Sequence, residues 1–250
     1  MKRNYKFIIS YDGTRYHGWE RQPGKDMTIQ GKLESVLGRM VGASSDDPVN
    51  LIGAGRTDAG VHARAMCASA FLDTEMTEGE ILRYMNEYLP EDISVNEVKL
   101  CSERFHARYN ALGKTYRYTF WVGANKPVFD RKYVTILDRE PDIELMKSAA
   151  GVLVGTHDFK SFCGNTHMKK STVRSVDTIN IERSGNYIRL YFHGNGFLQN
   201  MVRILTGTLL QAGFSEISVS EVKEILDASD RQKAGPTAPT QGLCMMKVDY

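Results

Sequence analysis

Apolar and polar residues follow two distinct periods along this chain, and each period marks a different element. Tyr5 to Tyr11 reads as an opening strand, ended by the turn pair Asp12-Gly13. Thr28 then stands as an N-cap before Ile29, Leu33, Val36, Leu37 and Met40, whose spacing gives one apolar helical stripe. Val49 to Ala54 and Met66 to Leu72 are short apolar runs suited to strands, with a glycine-flanked loop between them. Thr77 opens a second helix, with Ile81, Leu82, Met85 and Leu89 on one face and Pro90 as its stop. Another strand is predicted over Ile93 to Leu100.

The second half repeats the mixture. Ala111 to Val122 alternates strongly enough for a long strand, placing Tyr116, Tyr118 and Phe120 on one side. Ile143 to Val154 reads as a helix. A hairpin is predicted over Val173–Glu182 and Tyr187–His193, turning at Ser184-Gly185-Asn186. Phe197 to Ala212 reads as a helix, with Phe197, Met201, Ile204, Leu205 and Thr208 on its buried stripe. A short helix over Ser220 to Ala228 and a strand over Leu243 to Val248 complete the pattern. The architecture expected is α+β: two sheet-and-helix halves, residues 1–106 and 107–250. They are expected to form one continuous, mostly antiparallel sheet with a central cleft.

Composition narrows the function classes. At 250 residues with 42% hydrophobic and 25% charged, the chain is an ordinary globular one. No apolar run approaches the length of a membrane span, and no apolar signal core follows Met1, so a cytoplasmic protein is expected. Cys67, Cys101, Cys163 and Cys244 are far apart, which argues against a zinc site or a disulfide framework. The net charge of +2 says little about nucleic acid, because phosphate binding needs clustered charge. Local clusters exist at Arg15, Arg21 and Lys25, at Arg104, Arg108, Lys114 and Arg117, and at Lys160, Lys169, Lys170 and Arg174. Each alone is more often a solvated face.

Gly53-Ala54-Gly55-Arg56-Thr57-Asp58-Ala59-Gly60-Val61-His62-Ala63 is the most informative stretch. Its glycines permit tight backbone geometry, and a loop leaving a sheet is a good place to hold one carboxylate rigidly. A dinucleotide fingerprint would need glycine at 58, where Asp58 stands, and a phosphate loop before Gly113-Lys114-Thr115 would need glycine at 108, where Arg108 stands. Both nucleotide readings fail. From chemistry alone, a tight turn with an exposed ion pair is as good a reading as catalysis.

The string from Gly55 to Ala63 resembles the signature of the tRNA pseudouridine synthase A family. The likeness continues through Tyr11-Asp12-Gly13, Gly18-Trp19, Arg104-Phe105-His106-Ala107-Arg108, Lys114-Thr115-Tyr116-Arg117-Tyr118, Met201-Val202-Arg203, Ala238-Pro239 and Gly242-Leu243. Three places depart from the family's usual pattern: Glu20 after Trp19, Gln199-Asn200 in place of an aromatic and a histidine, and Thr240 after Pro239.

The resemblance implies isomerisation of uridine to pseudouridine at positions 38 to 40 of the tRNA anticodon stem-loop. Uracil leaves C1′ through N1, turns over while bound and rejoins through C5. Nothing is oxidised, reduced or hydrolysed, so neither cofactor nor metal is expected. The resemblance makes Asp58 the catalytic carboxylate, which either attacks C1′ or removes a proton from C2′. It makes Arg203 the partner cation of that carboxylate and Tyr116 a catalytic residue, its ring stacking on the flipped uracil and its hydroxyl available for proton transfer late in the reaction. Arg56 would fill the gap left by the extruded base. Leu243 would line the uracil pocket, while Arg21, Arg108 and Lys114 would contact RNA. A homodimer, with one tRNA spanning both subunits, is implied in the same way. Two alternatives stay open: a family member acting on another RNA or position, and a non-catalytic RNA-binding relative. A two-carboxylate glycosidic hydrolase fits less well, because the loop offers one carboxylate.

Overall fold

The computed structural model describes residues 2–250. The fold is mixed α+β with almost entirely antiparallel strand pairing, the class the sequence pattern predicts. The chain divides into two compact units, Met1–Leu112 with Met245–Tyr250, and Gly113–Cys244. Among the described residues, no helix is long and apolar enough to cross a membrane.

In the first unit, β1 (Arg3–Tyr11) is followed by α1 (Ile29–Val41), β2 (Ile52–Gly53), β3 (His62–Leu72), α2 (Glu78–Tyr88) and β4 (Ile93–Leu100). Strand β1 lies between β3 and β4, with Phe7 opposite Ala68 on one side and Val98 on the other. Its alternate residues Tyr5, Phe7, Ile9 and Tyr11 are buried, as are Ile29, Leu33, Val36 and Leu37 of α1. Burying each large apolar side chain of this kind stabilises the fold by about 1.5–3 kcal/mol. The Thr28 hydroxyl caps α1 by accepting from Gly31 N, and Thr77 closes a capping box with Glu80 at the start of α2. The run predicted as a strand from Val49 shortens to two residues. Gln30 and Glu34 of α1 instead hold Leu51, through its carbonyl and its N–H respectively.

In the second unit, β5 (Gly113–Val122) leads to β6 (Thr135–Leu137), α3 (Ile143–Leu153), β7 (Gly155–Asp158), β8 (Val173–Ser184), β9 (Tyr187–Gly194), α4 (Met201–Gly213) and α5 (Val219–Asp227). Strands run in the order β5, β9, β8, β7, and β6 lies parallel to β5. Tyr118, Phe120, Ile188, Leu190 and Phe192 form the buried sheet face, beneath helices that bury Met146, Leu153, Ile204, Leu205 and Leu209. Helix α4 starts at Met201, four residues later than Phe197, because Asn200 takes a left-handed conformation with φ 58°. The last strand, β10 (Leu243–Asp249), begins in this unit and ends in the first, where it lies beside β3.

Candidate active site

In the first unit, residues 54–61 form a loop braced from several sides. Ala54 N donates to Cys67 O at 2.7 Å, and Val61 N donates to Asp58 O at 3.1 Å, closing a turn around Gly60 at φ 78°. Thr57 is buried, and its hydroxyl meets the Tyr11 hydroxyl at 2.8 Å. The preceding loop packs onto this one, with Trp19 N donating to Thr57 O at 3.0 Å. Gly18 makes that approach possible. Its φ is +94°, and a Cβ there would stand 2.7 Å from Thr57 O. The Asp58 side chain is half-buried on the loop so built.

Arg56, two residues before Asp58, is exposed and donates from Nη1 to Glu20 Oε2 at 2.9 Å. Glu20 is one of the departures noted in the sequence, and it fastens this arginine to the loop after Trp19. The neighbouring Arg21 brings Nε to 3.1 Å from Glu34 Oε2, close enough for charge attraction but not aligned for a hydrogen bond. Glu34 is almost wholly buried, and burial raises its pKa above the ordinary glutamate value. The Leu51 N–H, Arg21 and Gln30 all oppose that rise. Arg21 and Arg56 are thus brought to one region by adjacent residues.

His62 is buried. Its Nδ1 accepts from Gly13 N at 3.1 Å and lies 3.2 Å from Asp12 Oδ1, which makes it part of the loop's framework. Arg108 belongs to a separate turn. There His106 Nδ1 accepts from the N–H groups of Arg108 and Tyr109, and Ala107 N donates to Ser69 Oγ at 3.2 Å.

In the second unit, Tyr116 is buried in β5 with its ring edge-on to Phe197, 5.3 Å between centroids. Lys114 stands two residues earlier, opposite Gly194. Arg203, in the first turn of α4, donates from Nε to Ala238 O at 2.6 Å and from Nη1 to Asn200 Oδ1 at 2.9 Å. The segment carrying Ala238 is tied to the same helix, since Ala238 N donates to Arg203 O and Gly235 N to Thr208 Oγ1. Next in sequence, Pro239 O accepts from the Tyr118 hydroxyl at 2.7 Å, and that hydroxyl also meets Thr135 Oγ1 at 2.7 Å. Burial pushes the Tyr118 phenol well above its usual pKa, while the Thr135 hydrogen bond and the Arg203 charge act the other way. The Ala238-Pro239 pair therefore joins Arg203 to Tyr118 as well as linking α4 to β5. Leu243 is buried at the start of β10. Sequence reasoning singled out neither Tyr118 nor Thr57 as a support, because their partners are remote in sequence.

The family model described as tRNA pseudouridine synthase matches residues 7–110 and 149–250. Among curated relatives, the tRNA pseudouridine synthase A 2 of Bacillus cereus is 40% identical over 247 residues, covering 99% of both chains. A tRNA pseudouridine synthase A from a Bacillus species is 44% identical over 247 residues, again covering 99% of both. That of Clostridium kluyveri is 42% identical over 248 residues, covering 99% of this chain and 100% of the relative.

Proposed function

The chain belongs to the tRNA pseudouridine synthase family, and on that premise we propose that it converts uridine to pseudouridine at positions 38 to 40 of the tRNA anticodon stem-loop. It is an isomerase. The C1′–N1 bond breaks, a C1′–C5 bond forms, and the hydrogen on C5 is released to solvent as N1 gains a proton.

Asp58 supplies the ionised carboxylate at the ribose, a state an aspartate holds at neutral pH. The observation that supports this role is the way its loop is built. A half-buried carboxylate sits on backbone fixed by Trp19, Val61 and the buried Tyr11–Thr57 pair, so its position is set before substrate arrives. Arg203 contributes the guanidinium that keeps that carboxylate ionised as the site loses water. Tyr116 stacks on the everted uracil and Leu243 lines its pocket. Arg56 occupies the space the base vacates, which requires release of its exposed bond to Glu20. Arg21, Arg108 and Lys114 contact RNA phosphates. The same reading carries a cytoplasmic location and a homodimer across which one tRNA lies.

The test uses an anticodon stem-loop RNA labelled with tritium at uracil C5. Release of tritium by the protein, abolished in Asp58→Asn with thermal stability retained, supports the reading. Equal release by the variant, or none from any tRNA with the wild type, rejects it.

A further inference from the structure

Asn200 stands directly before α4, where a polar side chain ordinarily turns back to accept from an N–H of the first helical turn. It makes no such bond. Its backbone holds φ 58° and ψ 3°, a left-handed conformation that asparagine tolerates better than most residues. The side-chain oxygen instead accepts from Arg203 Nη1 at 2.9 Å. The amide nitrogen is walled in on its other side, for a Cβ at Gly164 would stand 2.7 Å from Asn200 Nδ2. Gly164 N itself donates to Gln199 O at 2.8 Å, which fixes that wall against the residue before Asn200.

We infer that Asn200 is a positioning residue for Arg203, giving up its capping role to orient the guanidinium. A guanidinium is planar, so two bonds from different nitrogens set the plane as well as the place. Ala238 O takes the Nε–H and Asn200 Oδ1 takes an Nη1–H, and the three other N–H bonds are then held in one plane. The left-handed backbone is what brings the oxygen within reach. Its own carbonyl meanwhile accepts from Ile204 N at 3.0 Å and keeps the helix start in register. The catalytic consequence rests on the reading above, in which Arg203 serves the carboxylate of Asp58.

Two substitutions separate side chain from backbone. Asn200→Gly keeps the positive φ and removes the oxygen, whereas Asn200→Asp keeps both an acceptor and a left-handed-tolerant backbone. Under single turnover on tritiated stem-loop RNA, Asn200→Gly should lower the rate by about 10- to 100-fold. RNA affinity and melting temperature should stay close to wild type, and Asn200→Asp should recover most of the rate. Asn200→Gly combined with Arg203→Gln should be no slower than Arg203→Gln alone, since the first residue acts through the second. An unchanged rate in Asn200→Gly, or effects that multiply in the double variant, overturns the inference.

Side-chain NMR of the 15N-arginine-labelled protein reads the same relation without any reaction. Rotation of the Arg203 guanidinium about Nε–Cζ should be hindered in the wild type and released in Asn200→Gly. Identical rotation in both overturns the positioning role even in an active enzyme. Hindered rotation in a wild type that releases no tritium overturns the catalytic reading and leaves the positioning intact.

Discussion

The hydroxyls of Tyr11 and Thr57 meet at 2.8 Å in the buried interior of the first unit, joining the end of β1 to the loop of Asp58. Removing one partner strands the other away from water, which costs about 1–3 kcal/mol. Tyr11→Phe and Thr57→Val should each lower stability by that amount in urea titrations and slow tritium release. The double variant should be less destabilised than the two singles added together, because no buried hydroxyl remains unpaired. Simple additivity would show that the pair does not brace the loop.

Gly18→Ala tests the contact between the two loops. Alanine must adopt φ near +94° and place its Cβ about 2.7 Å from the Thr57 carbonyl oxygen. The expected loss of stability is at least about 1 kcal/mol, and more if the loops separate. Activity should fall further than stability alone explains, as seen by assaying well below the melting temperature.

The stacking role proposed for Tyr116 can be isolated by two substitutions. Tyr116→Leu should reduce kcat/KM on the stem-loop by roughly 5- to 150-fold, equivalent to the about 1–3 kcal/mol of one base on one ring. Tyr116→Phe keeps the ring and should keep most of that stacking. An equal loss in both variants would move the role from the ring to the hydroxyl.

Glu34 makes stability depend on pH. Burial raises its folded-state pKa above the ordinary 4.5, so the folded form holds the proton more tightly than the unfolded chain. Its contribution is fully present below 4.5 and is lost as pH rises through the folded value. Glu34→Gln cannot titrate. Its stability relative to wild type should therefore improve as pH climbs from below 4.5 toward neutrality, measured by chemical denaturation across that range. A difference that does not vary with pH would mean the folded and unfolded forms titrate alike.

Elements with a complete local signature were legible in the sequence. Helices α1 and α2 each have an apolar stripe at helical spacing and a threonine cap, and both begin where Thr28 and Thr77 place them. Strand β9 alternates throughout and β1 does so from Tyr5 onward because one face of each is buried, and β5 keeps the alternation of Tyr116, Tyr118, Phe120 and Val122 even though Thr119 is buried between them. Short elements such as β6 and β7 offer three or four residues of mixed exposure, too few for a period to stand out. Helix α4 begins later than its apolar spacing predicts, because Phe197 and Leu198 continue that spacing while the left-handed turn at Asn200 is a conformational feature that spacing does not carry. At the candidate site, Arg56 and Asp58 were visible as charges on a glycine-rich loop. The attachment of Arg56 to Glu20 and of Thr57 to Tyr11 depends on the tertiary approach of residues 36 and 46 positions apart, and no local pattern encodes it.

The course of β10 has a consequence for biosynthesis. Residues 245–250 complete a unit whose other members lie within the first 112 positions. During translation that early segment emerges with only the two residues of β2 on the far edge of β3, and more than a hundred intervening residues follow before β10 is made to pair there. Until β10 is made, the nascent chain leaves part of the β3 edge unpaired, a species suited to chaperone capture. A ribosome-bound chain stalled before Met245 should be protease-sensitive in its first unit, however long it is left to fold.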